Sequence, residues 1–237
     1  GACRWEHLPA ARRAREVPRW IHRSMTSVAG KWEGPAESNV WPEKLTARVV
    51  TPGARPRVHG YDVEADVAPH YRFGESVLLA LTGAAPDEVT GHAFEIAMTF
   101  LSPLAVTEAP THAAVLARTC AGSASAVTGT AAVALGEQAR WLLGHHAPLL
   151  AWLDDGCLGE PPEIGRASGD DDRQSVARLR HALGEGAAAR LPVHDLGRDA
   201  ALLAVLHSCG LRRAEQLEVA MVVSRLATCA AASPRPS

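Results

Sequence analysis

The 237-residue sequence predicts an all-α protein, and three observations carry that expectation. Aromatic residues make up 5% of the chain, so a core must be assembled mainly from Ala, Leu and Val. Ala and Leu head the helix-propensity scale, while the strand formers Ile, Tyr and Phe are scarce here. Apolar positions recur at helical spacing, as at Phe73, Val77, Leu78 and Leu81. Between such runs, Gly, Pro and Ser fall where helices start and stop. A hydrophobic share of 47% against 21% charged residues suits a chain able to bury a core.

Residues 1–57 alternate charged residues with Trp5, Trp20, Trp32 and Trp41 and with Pro9, Pro18, Pro35, Pro42, Pro52 and Pro56, a density that stops helices from lengthening. This stretch reads as an N-terminal arm of short helical pieces, its tryptophans covered by the main body or by a partner chain. Residues 45–50 and 57–61, joined through Thr51-Pro52-Gly53, read as a short hairpin. A helix follows over 73–81, with Gly83 as its left-handed cap. Pro86-Asp87-Glu88 opens the next, placing acids beside the positive end of the helix dipole; Val89, Phe94, Ala97, Met98 and Leu101 carry its apolar face to Pro103. A third helix spans 112–120 and stops at Gly122. A fourth begins at a Ser123 or Ser125 cap and runs through small residues that permit close helix approach. A fifth, 138–153, is kinked by Pro148, and 159–175 has the Gly, Pro, Ser and Asp content of an exposed loop. Asp170-Asp171-Asp172 belongs to that solvated loop, since three consecutive side chains do not converge on an octahedral ion. Helices resume at 175–183, 200–208 and 212–227, ahead of a frayed tail.

Residues 1–57 hold eleven Lys/Arg against five Asp/Glu, so the net charge of −2 conceals a basic front arm. Only Lys31 and Lys44 among the 24 basic residues are lysines. Interspersed arginines make ordinary surface ion pairs, and with no aromatic-interleaved basic motif, nucleic acid is not an expected partner. Cys3, Cys120, Cys157, Cys209 and Cys229 are odd in number and widely spaced, with no CxxC pair. Neither a disulfide framework nor a metal site is expected, and a reducing cytoplasm fits best. Cys120 and Cys209 fall on apolar helical faces and read as core. The N-terminal GACRWEHLPAARRAR has no apolar stretch after its charges, and no run of eighteen apolar residues occurs, so neither a signal peptide nor a membrane span is expected.

Two motifs in order carry a family resemblance. Val58-His59-Gly60-Tyr61-Asp62-Val63 is followed by Phe73-Gly74-Glu75 and by Leu78-Leu79-Ala80-Leu81-Thr82-Gly83-Ala84-Ala85-Pro86. This resembles the citrate synthase and citryl-CoA lyase family, in which an RGY-x-[IL] turn leads to a helix F-x-E-x-x-x-L-L-x-x-G-x-x-P. More weakly, residues 112–123 resemble the helix that ends in an arginine and a small-residue turn. Residues 124–136 resemble the small-residue helix before a catalytic H-G-G-A turn, His194 to Ala200 resembles H-x-x-D-P-R-A, and Gln216 to Ala220 resembles N-V-D-x-A.

The resemblance implies an all-α, citrate synthase-like fold with a large helical domain (58–136 and 193–230), a small subdomain (137–192), the arm (1–57) and a disordered tail (231–237). It also implies a dimer formed through residues 114–135, with either a second copy or a fuller relative. The chemistry implied joins or splits a carbon–carbon bond between an acyl-CoA and an oxo acid, with a CoA thioester as substrate or ligand and no permanently bound cofactor. An enolate forms there because a base and a hydrogen-bond donor act together on a weak carbon acid.

The chain departs from the family where its histidines should lie. Glu137-Gln138-Ala139-Arg140-Trp141 stands in place of the H-G-G-A turn, Val106-Thr107-Glu108-Ala109 in place of D-H-G, and no G-H precedes Arg198. What the resemblance leaves is Arg198 at the carboxylate-binding position, Glu218 at the position of the base, and His194 in the matched stretch before Arg198. His112 either stands in for the lost D-H-G histidine or is a polar cap, and Arg118 either contacts a CoA phosphate or pairs with an acid. His145 and His146, near Asp154 and Asp155, read as a metal cluster or as displaced catalytic histidines. Neighbouring helical residues point about 100° apart, so only one of the pair is expected to face a given site, with His145 the candidate. Two functions remain open: a divergent enzyme using Arg198 and Glu218, or an inactive subunit that binds a CoA ligand or regulates an active partner.

Overall fold

In the computed structural model, which describes residues 49–51 and 54–232, the chain opens with three short antiparallel strands in sequential order: β1 (Val50–Thr51), β2 (Arg57–Val58) and β3 (Tyr61–Asp62). Val50 faces Val58 and Arg57 faces Asp62. The expected hairpin therefore gains a third strand, because His59 (φ 49°) and Gly60 (φ 90°) supply the two positive φ angles of a tight two-residue turn. A single π-helical turn follows at Val63–Val67, capped by Asp62, whose Oδ1 accepts the Glu64 and Ala65 N–H groups at 3.0 Å each. The four tryptophans expected in the arm, and the end of the tail, lie outside the described residues.

Local capping sets the first two helices. Helix α1 (Phe73–Thr82) ends at Gly83 with φ 78°, and α2 (Glu88–Leu101) begins at Asp87, whose Oδ1 accepts the Thr90 N–H at 2.6 Å. The buried face of α1 is centred on Leu78 and Leu79. Phe73, expected on that face, is 80% exposed in the first turn of the helix. The α1–α2 crossing rests on two glycines: the Glu75 carboxylate lies against Gly91, and the Glu95 side chain would meet a Cβ on Gly74 at 2.8 Å.

Helix α3 (Ala109–Thr119) starts three residues before its expected position, with Pro110 in its first turn. Helix α4 (Ala124–His145) is capped by Ser123 Oγ, which accepts the Ala126 N–H at 3.2 Å. It buries Val127, Ala131, Leu135, Ala139 and Leu143, a four-residue spacing that lays one seam against α3 and against the last helix. The helix runs unbroken through residue 138, where the sequence placed the start of a fifth helix. The break comes instead at His146, and Pro148 opens α5 (Ala147–Asp154) in its first turn rather than kinking a longer helix.

A 3-10 turn at Glu163–Gly165 leads to α6 (Asp170–Ala188), interrupted at Gly184 (φ 68°, ψ 174°). The three aspartates expected in a loop form the first turn of α6, where carboxylates sit favourably against the helix dipole. Helix α7 (Arg198–Ser208) buries every residue from Ala200 to His207, and α8 (Ala214–Ala231) closes the described chain. A helix apolar on all sides belongs at the centre of a core, and α2, α5 and α6 pack around α7. A smaller cluster of Ala114, Val127, Ala131, Leu135 and Cys229 joins α3, α4 and α8. Cys209 is core, as expected, and burial pushes its thiol up to about 11; Cys120 is exposed, because α3 ends at Thr119 and the chain turns outward there. Among the described residues no helix is long and apolar enough to cross a membrane.

Candidate functional site

Three pieces of chain meet at the head of α7 around a cleft of about 420 Å³. The end of α4 supplies Trp141, His145 and His146; the stretch from Ile164 to Asp172 supplies Arg166, Ser168 and Asp172; the first turn of α7 supplies Arg198 and Asp199. Backbone pairing holds the second wall to the third. Gly197 N–H donates to Gly165 O at 2.9 Å and Ala167 N–H to Asp195 O at 3.0 Å, and Arg166 bridges Leu196. The approach is close enough that a Cβ on Gly197 would stand 3.0 Å from the Arg166 carbonyl oxygen.

Asp172 is a fixed part of the wall. Its Oδ2 accepts the Ser168 hydroxyl at 2.6 Å and the Ser168 N–H at 2.9 Å. The Ser168 hydroxyl above all, then the Ser168 and Arg198 backbone N–H groups and the Arg198 charge, hold its carboxyl below the usual aspartate value. Arg198 donates from Nη2 to Phe100 O at 2.9 Å, and Arg225 of α8 donates from Nε to Leu101 O at 2.9 Å. The two guanidiniums thus satisfy carbonyls at the C-terminal end of α2, which also favours positive charge there. Burial lowers the Arg225 guanidinium from the ordinary arginine value, while the nearby Glu108 and Asp199 carboxylates act the other way.

The histidines sit on the opposite wall. The His145 ring lies nearly parallel to Trp141, 10° apart with centroids at 5.4 Å, and Trp141 is 68% exposed. His146 is 6% exposed, its Nδ1 lies 3.0 Å from Leu142 O, and it meets His145 edge-on at 5.6 Å. Both histidines line the cleft, against the expectation that only one would. The helical angle between neighbours does not apply, since α4 ends between them and His146 has φ −93° and ψ 12°. Asp154 does not join them: it pairs with His207 Nε2 at 2.8 Å. Among the described residues no group of three metal-ligating side chains converges.

The structure therefore brings three residues named from the sequence, His145, His146 and Arg198, to one cleft. The others lie elsewhere. Glu218, on α8, forms an ion pair with Arg140 Nε at 3.4 Å beside Gly136. His194 packs edge-on against Trp152 with centroids 5.2 Å apart. His112 is exposed on α3, and Arg118 is half-buried in the last turn of that helix. Asp199 and Arg166 were not singled out from the sequence, and of the histidine pair His145 was the candidate while His146 was expected to face away. Asp199 had one available signal, being the residue directly after the matched arginine. A second cleft, about 450 Å³, lies between Tyr71, Arg72, Glu75, Glu88 and His92. None of these side chains is buried, and Arg72 already pairs with Glu95 at 3.1 Å, so the head of α7 is the better-built site.

No model of a known protein family matches the sequence, and no curated protein matches it. The fold is nevertheless citrate synthase/citryl-CoA lyase-like. The chain is similar to the solved citryl-CoA lyase of Hydrogenobacter thermophilus, with a TM-score of 0.55 over 82% of this chain and 86% of that one, at 13% sequence identity.

Proposed function

We propose that the cleft at the head of α7 binds a carboxylic acid, and that the chain there makes or breaks a carbon–carbon bond between an acyl-CoA and an oxo acid. The observation supporting this reading is the convergence of His145, His146, Arg166, Arg198 and Asp199 on one cleft of a citrate synthase/citryl-CoA lyase-like fold. Arg198, steadied by its bond to the Phe100 carbonyl, offers its remaining guanidinium donors to a carboxylate, and Arg166 offers a second set. His145 is placed to donate a hydrogen bond to a thioester carbonyl. Asp199 takes over as base from Glu218, which Arg140 already occupies away from the cleft. A CoA thioester is the proposed substrate, with no resident cofactor, in the cytoplasm. The exposed side of α4, where Val133 is 69% exposed, is the proposed contact with a second copy or a related subunit.

A second reading, an inactive subunit that binds a CoA ligand or a partner, is favoured by one observation: α4 continues as helix where a glycine-rich catalytic turn is expected. Purified protein supplied with acetyl-CoA plus oxaloacetate, and separately with citryl-CoA, separates the two when thiol release and thioester loss are followed. The enzyme reading expects turnover that falls at least about 100-fold in Asp199→Asn and persists in Glu218→Gln. No turnover together with thermal stabilisation by CoA supports the inactive subunit, and no response to either assay refutes both.

A further inference from the structure

Trp141 is the largest side chain lining the cleft, and 68% of it is exposed. A single exposed indole needs no explanation, but this one is held in a defined plane at a charged site. One helical turn later on α4, the His145 ring lies 10° from parallel with its centroid 5.4 Å away, the offset-stacked geometry that aromatic rings prefer. The stack fixes the indole before a ligand arrives, so less side-chain freedom is lost when another ring settles beside it. Both rings line the cleft, as do the apolar side chains of Leu142 and Ile164 and the guanidiniums of Arg166 and Arg198. A cleft of about 420 Å³ with an aromatic wall and cationic donors has the make-up of a site for a small ring that carries an anion.

We infer that Trp141 is a specificity-determining residue, and that the carboxylic acid taken by the cleft carries an aromatic ring. In the proposed reaction the acid is then an aryl-substituted 2-oxo acid, its carboxylate on a guanidinium and its ring against the indole. The inference rests on the carboxylate reading of the cleft and narrows it to one substrate class. An aliphatic oxo acid leaves the indole in water, whereas an aryl acid removes apolar surface of both rings from it. The adenine of a CoA thioester is the other ring available to the platform, and the test separates it from the acid.

Pyruvate, phenylpyruvate and adenosine 3′,5′-bisphosphate are titrated separately into the full chain. Indole N–H signals in a 15N–1H correlation spectrum, with that of Trp141 assigned by its loss in Trp141→Phe, report both the place and the affinity of binding. Phenylpyruvate is expected to bind about five- to a hundredfold more tightly than pyruvate, the worth of one ring stacked on an aromatic side chain, and to move the Trp141 signal upfield. By calorimetry, Trp141→Phe should keep part of that ratio and Trp141→Leu should bring it close to one. The wild-type comparison decides even where a variant fails to fold. Equal affinity for the two acids in the wild type, or a ratio that persists in full in Trp141→Leu, overturns the inference and leaves the carboxylate reading intact. A Trp141 signal that moves with the bisphosphate and not with phenylpyruvate assigns the platform to the nucleotide and overturns it as well. Binding of neither acid refutes the carboxylate reading, and the inference falls with it.

Discussion

Gly197→Ala isolates the contact that assembles the cleft. Gly197 caps α7 with φ −69° and ψ 163°, a conformation open to alanine, so the substitution carries no backbone strain. The added Cβ would stand 3.0 Å from the Arg166 carbonyl oxygen and 3.5 Å from Asp172 Oδ2, tighter than ordinary van der Waals contact on the first count. The neighbour on that side is backbone, tied down by the Gly197 N–H to Gly165 O bond of 2.9 Å, so relief requires residues 165–167 to move away from α7. Overpacking of this kind costs about 1–3 kcal/mol, and weakening the tie adds to it. For a chain of this size, at about 2–4 °C per kcal/mol, that lowers Tm by about 2–12 °C. Gly129→Ala is the control: it lies inside α4 with nothing within 4 Å of its would-be Cβ, and should raise stability by about 0.5–1 kcal/mol through helix propensity alone. The assay is thermal unfolding followed by circular dichroism. A Gly197→Ala protein that melts with or above the wild type would refute the claim that backbone approach at this glycine holds the two walls together.

Acid should reach the folded Asp172 late. Its folded value lies below the unfolded one of about 3.9, so its stabilisation is complete above that pH and is lost as pH falls through the folded value; denaturant midpoints measured from pH 6 to pH 2 should drop less steeply in Asp172→Asn than in the wild type. Thiol labelling at pH 8 should modify exposed Cys120 within minutes and leave Cys209 unreacted until the protein unfolds, because burial keeps the Cys209 thiol protonated; the modified peptides identify each site. Glu218→Gln removes a half-exposed ion pair with Arg140, so stability should fall by no more than about 1 kcal/mol in urea titrations, with citrate affinity unchanged.

What the sequence discloses here is mainly what is decided within a few residues. The cap at Gly83 could be read directly, the cap of α4 was narrowed to Ser123 or Ser125, and Asp87 was placed at the start of α2 though not as its cap, because each is a local contest between a side chain or a glycine and the backbone. The extent of α4 could not. Glu137 to Trp141 interrupts a family motif, and nothing nearby says that packing against α3 and α8 will carry the helix on to His145. The same gap explains the site. Arg198 was found through a motif, whereas Arg166 arrives through backbone bonds from residues about thirty positions away in sequence. His146 is buried where α4 ends, its Nδ1 held by a carbonyl one helical turn back. Glu218 satisfied a pattern in one dimension and met Arg140 in three.

Helix α7 carries polar function only at its tips, with Arg198 and Asp199 at one end and His207 at the other, and between them every side chain is interior. The consequence is an unequal freedom to diversify. Altered selectivity has to come from the two walls that face solvent, the end of α4 and the stretch before α6, while the central rod stays as it is. Enlarging or trimming Leu202 or Leu206 would shift the anchoring point of the guanidinium together with the melting point, so variants selected for new ligands should accumulate around Trp141 and Ser168 and spare the rod.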